Sequence, residues 1–170
     1  MSDMLVKLYD LPDAAPIIEG LKRRGIVIRP AMAYEKHAVT AWVRSRFGKA
    51  WESECEASFS NHPVSCFIAT EGRKMVGFAC YDSTCKNFFG PSGIVESRRG
   101  LGIGKALLLS CLHVMRAAGF AYAIIGGVGP AEFYSRTVGA IMIDGSSPGI
   151  YRDRLYEKSE TNNHDKRRGS

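Results

Sequence analysis

Two arginines, three alternating glycines and a lysine stand together in this chain: Arg98, Arg99, Gly100, Gly102, Gly104 and Lys105. These residue types in this order suit an anion. Glycines leave backbone N–H groups open to a bulky ligand because no Cβ stands in the way. The residues after Lys105 carry apolar side chains at helical spacing, so the glycines open a helix that runs to Gly119. The first N–H groups of a helix have no partner within it, and the aligned peptide dipoles add partial positive charge at that end. Phosphate and pyrophosphate bind at such ends, and the three cationic side chains add full charge. A plain glycine turn flanked by solvated basic residues has the same spacing, so the phosphate reading needs a more specific pattern.

Two common nucleotide patterns fail at single positions. The P-loop needs G-x-x-x-x-G-K-[ST], but Gly100 to Gly104 is one residue short and Ala106 stands at the magnesium-binding hydroxyl position. The dinucleotide fingerprint G-x-G-x-x-G fails at Leu107 in one register and at Lys105 in the other. A third pattern fits: Arg99-Gly100-Leu101-Gly102-Ile103-Gly104 reads R-x-x-G-x-G and runs into Lys105-Ala106-Leu107-Leu108. Downstream come an apolar strand, then Ala131-Glu132-Phe133-Tyr134 and Gly139-Ala140. The two blocks in this order resemble the GCN5-related N-acetyltransferase (GNAT) superfamily, closely over residues 87–140 and only topologically before them.

The resemblance implies an α/β (α+β) fold: a central mixed, mostly antiparallel twisted sheet flanked by helices, with splayed strands at the cofactor site. It implies acetyl-coenzyme A as cosubstrate; no metal is expected, because no Cys/His cluster has metal-ligand spacing. The cofactor-binding residues it implies are Ile94, Val95, Glu96, Arg99, Gly100, Leu101, Gly102, Ile103, Gly104, Lys105 and Tyr134. The loop amides would hold the pyrophosphate, and the preceding strand would pair with the pantetheine arm. Tyr134 matches the family's tyrosine beside the coenzyme sulfur and is the expected catalytic acid. A phenol, with a pKa of about 10, keeps its proton at neutral pH. The oxyanion donor is expected to be a main-chain N–H around Ile94.

The base is not evident. The strand over residues 87–95 holds no carboxylate or histidine. Glu132 lies two residues from Tyr134, on another helix face. Glu96 is nearer the pyrophosphate than the acetyl group; Glu52, Glu56 and His62 remain on the acceptor side. Many relatives also carry an asparagine after the strand that precedes the second helix, whereas this chain has Gly126, Gly127, Val128, Gly129 and Pro130 there. The corresponding hydrogen bond is missing or made by main chain. Trp42, Phe47, Trp51 and Phe59 are candidates for the acceptor wall, against the simpler reading that each is core.

The elements that must position these residues follow from patterning. Residues 5–8 read as an edge strand and residues 14–21 as a helix capped by Asp13. Residues 26–29 form the first core strand, stopped by Pro30. Residues 35–47 and 50–59 read as helices, the first with Ala38, Ala41, Trp42 and Ser45 on one face. A hairpin over 65–81 turns at Glu71-Gly72-Arg73-Lys74. Residues 87–95 form a strand broken by Gly90, Pro91 and Gly93, which marks a bulge or an unpaired edge. Residues 102–118, 121–125, 131–138 and 140–143 give helix, strand, helix and strand, and residues 150–155 a closing antiparallel strand. The expected domains are an N-terminal strand/helix extension packed on the core (1–25), which is an extra layer or a dimer contact, the acetyltransferase domain (26–156) and a polar tail (157–170).

Composition sets outer bounds. The chain has 170 residues, 45% hydrophobic and 24% charged, which fits one globular domain. No apolar run reaches membrane-spanning length. The N-terminus lacks the basic-then-apolar order of a secretory signal, so a cytoplasmic location is expected. Net charge is +6, which suits an anionic cofactor. No dense basic stripe interleaved with aromatics marks a nucleic-acid surface, leaving acetylation of an RNA-borne amine supported by net charge alone. Five scattered cysteines show no C-x-x-C and no zinc spacing, and are read as small buried hydrophobes. The expected partner is a small-molecule or protein amine, and the alternative is a non-catalytic coenzyme A-binding sensor or interaction module.

Overall fold

A computed structural model describes residues 1–155; the tail expected over 157–170 lies outside the described residues. Seven strands form one sheet: β1 (Met4–Lys7), β2 (Ile26–Pro30), β3 (Cys66–Glu71), β4 (Lys74–Tyr81), β5 (Phe88–Ile94), β6 (Tyr122–Ile125) and β7 (Ile141–Met142). Their spatial order is β2-β3-β4-β5-β6-β1-β7. Every neighbouring pair is antiparallel except β5 and β6, which run parallel. The mixed, mostly antiparallel sheet is the expected one.

Five helices flank it: α1 (Ala15–Arg23), α2 (Lys36–Phe47), α3 (Lys49–Ser58), α4 (Ile103–Ala117) and α5 (Ala131–Val138). The larger core lies under α4, whose Ile103, Leu107, Leu108, Cys111 and Met115 are all at most 1% exposed. The smaller core lies under α2 and α3 and joins Val39, Val43 and Cys55 to Cys66, Ile68, Phe78 and Cys80 of the sheet. One extra residue in β4 decides which side chains reach which core. Pairing jumps from Thr70↔Met75 to Ala69↔Gly77, so Val76 is unopposed, as in a β-bulge. After it, Phe78 and Cys80 face α2 and α3 while Ala79 and Tyr81 face α4.

Two sequence expectations are corrected, and one helix face is decided. Residues 5–8 were expected at an edge, yet β1 lies inside the sheet, between β6 and β7. Its Met4, Val6 and the following Leu8 are buried, alternating as a strand with one covered face does. Residues 150–155 were expected to close the sheet; a 3-10 turn at Gly149–Tyr151 stands there instead. The helix over 36–47 buries Val39, Thr40 and Val43, whereas Ala38, Ala41 and Ser45 are exposed. Alanine and serine supplied the periodicity, but the larger β-branched side chains removed more apolar surface from water and set the buried face.

Candidate active site

The site grows from β5. Val95 N–H donates to the Val76 carbonyl at 3.0 Å, and the register continues Gly77↔Ile94, Phe78↔Gly93 and Ala79↔Ser92. Bonded and non-bonded pairs alternate in an antiparallel ladder. The N–H and C=O of Ile94 and Ser92 therefore turn away from β4. On that side β6 pairs only with Phe88 and Phe89. The strands then part, leaving residues 90–94 an open edge along a cleft of about 770 Å³. The bulge or unpaired edge expected from Gly90, Pro91 and Gly93 is this opening.

At one end of the cleft stands the α4 N-terminus. Gly102, its N-cap, has φ 90° in the left-handed region. The first intrahelical bond runs from Ala106 N–H to the Gly102 carbonyl, 3.0 Å, so the N–H groups of Ile103, Gly104 and Lys105 have no partner inside the helix. Gly104 lies against β5, where an added Cβ would meet Ile94 Cδ1 at 2.9 Å. Gly100 has φ 78° and open space where a Cβ would stand. The open space beside Gly100 and the three N–H groups without a partner inside the helix fit a pyrophosphate.

Of the expected cofactor residues, Ile94, Arg99, Gly100, Gly102, Ile103, Gly104, Lys105 and Tyr134 line the cleft. Val95 and Leu101 pack instead on the larger core, and Glu96 is exposed at the start of a 3-10 turn, Glu96–Arg98. The basic residues divide. Arg98 bonds Glu71 at 2.8 Å, whereas Arg99 and Lys105 are exposed on the cleft rim and pair with no carboxylate among the described residues.

Tyr134 stands on α5 near the fork of β5 and β6. Its ring lies 6.3 Å from that of Phe89 and 5.0 Å from that of Phe133, edge-on to both. Burial raises its pKa above the usual phenol value, while a side-chain hydrogen bond with Ser92 pulls the other way. The phenol keeps its proton. Ser92, which sequence reasoning did not single out, thus offers a side chain to Tyr134 and an N–H to the cleft.

The expected acceptor wall splits. Phe47 and Trp51 line the cleft together with Phe78. Trp42 lines a separate hollow with Glu35 and Arg29, and Phe59 packs on the smaller core. Phe47 is the hub: its ring centroid lies 5.1 Å from Trp51, 5.7 Å from Phe78 and 5.8 Å from Trp42. It rests on the strand because position 93 is glycine; a Cβ there would stand 2.4 Å from Phe47 Cζ. Glycine in a strand can mark such a close approach, and that was the signal available in the sequence.

None of the base candidates lines the cleft. Glu52 pairs with Arg44 at 3.6 Å and Glu56 with Lys36 at 2.8 Å. His62 is exposed, and Glu132 pairs with Arg136. Among the described residues the cleft lining includes no carboxylate and no imidazole. The loop after β6 has its own partners: Gly127 N–H donates to Asp3 Oδ1 at 2.8 Å and Val128 N–H to the Ser2 carbonyl at 3.0 Å. The segment leading into β1 therefore fixes the loop that carries Gly126, Gly127 and Gly129.

The model of the acetyltransferase (GNAT) family matches residues 36–139. No curated protein matches the sequence. Among solved structures, a GCN5-related glucosamine N-acetyltransferase region of a fungal multi-domain β-N-acetylglucosaminidase superposes with TM-score 0.68 at 16% identity, over 84% of this chain and 19% of the other. A GCN5-related N-acetyltransferase from Sphaerobacter thermophilus gives TM-score 0.60 at 20% identity, over 84% and 48%. One from Kribbella flavida gives 0.51 at 15%, over 83% and 53%. The chain thus spans about a fifth to about half of the length of these neighbours. At these identities the likeness is one of fold, and it agrees with the open mixed sheet described above. Because the family model covers more than half of the sequence and includes the β5 to α4 passage, the chain belongs to the acetyltransferase (GNAT) family.

Proposed function

We propose that this chain transfers the acetyl group of acetyl-coenzyme A to a primary amine. The observation that carries the reading is the open edge of β5, with its outward N–H groups, running from the α4 N-terminus to Tyr134. The Ile103, Gly104 and Lys105 N–H groups, with Arg99 and Lys105 at the rim, would hold the pyrophosphate. The outward amides at Ile94 and Ser92 would pair with the pantetheine arm and, near the acetyl end, receive the charge that develops on the carbonyl oxygen as the amine attacks. Tyr134 would give its proton to the departing thiolate, with Ser92 orienting the phenol. The aromatic wall of Phe47, Trp51 and Phe78 favours an acceptor with an apolar body. With no carboxylate or imidazole in the lining among the described residues, the amine arrives neutral or passes its proton to water.

The last point also favours a second reading, in which the chain binds coenzyme A without turnover. A panel of amines incubated with acetyl-coenzyme A, with free thiol as the readout, separates the two. Transfer predicts thiol release that depends on the amine and collapses in Tyr134→Phe. Cofactor binding with no release across the panel supports the sensor reading.

A further inference from the structure

The cysteines scattered in sequence do not stay scattered. Cys55 on α3, Cys66 on β3 and Cys80 on β4 bring their three Sγ atoms within 4.8 Å of one another. All three residues are 0% exposed, and all are free thiols. Cys66 and Cys80 are directly opposed in the β3–β4 ladder. Tyr81 N–H donates to the Ser65 carbonyl in the adjacent pair, so Cys66 and Cys80 form the closer, non-hydrogen-bonded kind of pair. Cys55 comes down on them from the helix above. Their surroundings are apolar: Ala31, Val39, Val43, Ile68 and Phe78.

We propose that Cys55, Cys66 and Cys80 form a buried trithiol site for a three-coordinate thiophilic centre, namely trivalent arsenic. Coordination number and charge select that class. An atom bonded to each sulfur at about 2.3 Å, as in metal–thiolate bonds, places the sulfurs about 4 Å apart at most; small side-chain rotations supply the difference. Structural zinc takes four ligands. Ser58 Oγ, 3.8 Å from Cys80 Sγ, already donates to the Cys55 carbonyl at 2.6 Å. Monovalent copper favours thiolates, but three thiolates around it leave net negative charge in an apolar core, which is costly. Arsenous acid leaves none. Three S–H and three As–OH bonds break, three As–S bonds form, and the hydroxyls leave as three waters. No electron changes hands, and the product is neutral. Entry requires α3 to lift from the sheet, a local opening of the ordinary kind. Occupancy would then tie α3 to β3 and β4.

The test uses the full reduced chain with arsenite. Native-mass spectrometry should show one arsenic per chain. Thiol titration after unfolding in arsenite should fall from the five cysteines of the sequence to about two, and the thermal midpoint should rise. Cys85→Ala with Cys111→Ala should leave uptake unchanged, whereas Cys66→Ala or Cys55→Ala should abolish it. Circular dichroism checks that each variant is folded; if one is not, the other decides. No uptake even when the chain is refolded in arsenite overturns the site, as does uptake retained in both single variants. Zinc binding at the same thiols more tightly than arsenite overturns the choice of centre.

Discussion

Tyr134 and Gly93 concentrate what single residues do here. The Tyr134 phenol is buried against Phe89 and Phe133 with its pKa raised above 10, so its protonated form persists through neutral and mildly alkaline pH. A group of this kind raises k only while it holds its proton, and its contribution disappears as pH climbs through the raised value. Tyr134→Phe should lower kcat by about 10²-fold or more with little change in the KM for acetyl-coenzyme A. Any alkaline fall in the wild-type rate owed to Tyr134 should lie above pH 10 and be absent in the variant; steady-state pH profiles check both. Gly93→Ala acts by shape. Its methyl would stand 2.4 Å from Phe47 Cζ, and the ring must leave the strand. Overpacking of this kind costs about 1–3 kcal/mol, measurable by denaturant unfolding, and the amine KM should rise because Phe47 lines the cleft. Gly102→Asp is a poorer probe of the anion site: at φ 90°, with Ile17 Cδ1 3.0 Å from the added Cβ, it strains the backbone and presses on α1 as well as adding charge.

Elements are fastened by a few polar ties. Arg29 on β2 makes two bonds to the Glu35 carboxylate, 2.8 and 2.6 Å, and Glu35 also accepts the Met32 N–H at 2.8 Å. The Arg29 hydrogen bonds hold the Glu35 pKa down to about 2 from 4.5. Because the folded value is the lower one, this stabilisation is complete above pH 4.5 and is lost as pH falls toward 2. Glu35→Gln should cost about 1 kcal/mol at neutral pH, discounted for the partial exposure of both partners, and should flatten the acid limb of stability between pH 4.5 and 2 in urea titrations. Much of this element level was legible in the sequence. The glycine-opened helix, the hairpin through 65–81 and the broken strand at 88–94 each carry strong local signals: helical spacing, turn residues, and glycine with proline inside an apolar run. The buried face of α2 was not legible, because side-chain volume outweighed the spacing of small residues. Nor was the trio of cysteines, since 11- and 14-residue separations across a helix and two strands have no local signature.

At the scale of the whole molecule, the placement of β1 is the main departure. A four-residue strand between turn signals looks like an edge, and only its long-range pairing with β6 and β7 puts it inside. Its neighbour Asp3 holds Gly127, so the same strand that completes the sheet also sets the loop beside the cleft. Met4 is 1% exposed, and Met4→Ala should cost about 2–5 kcal/mol, far more than an edge strand would impose; thermal and denaturant unfolding measure it. The cleft lining from Ile94 to Lys105 was legible because one helix end and one strand carry it in a contiguous run. The proposed acceptor wall draws Phe47, Trp51 and Phe78 from three elements, and their convergence depends on the fold. The central claim, that the edge of β5 and the α4 N-terminus form an acetyl-coenzyme A site, is tested most directly by calorimetric titration of acetyl-coenzyme A into the full chain. Saturable binding at one site per chain is expected, weakened about tenfold (~1.4 kcal/mol) when Arg99 and Lys105 are both replaced by alanine. No heat of binding at millimolar cofactor, or equal affinity in the double variant, would contradict it.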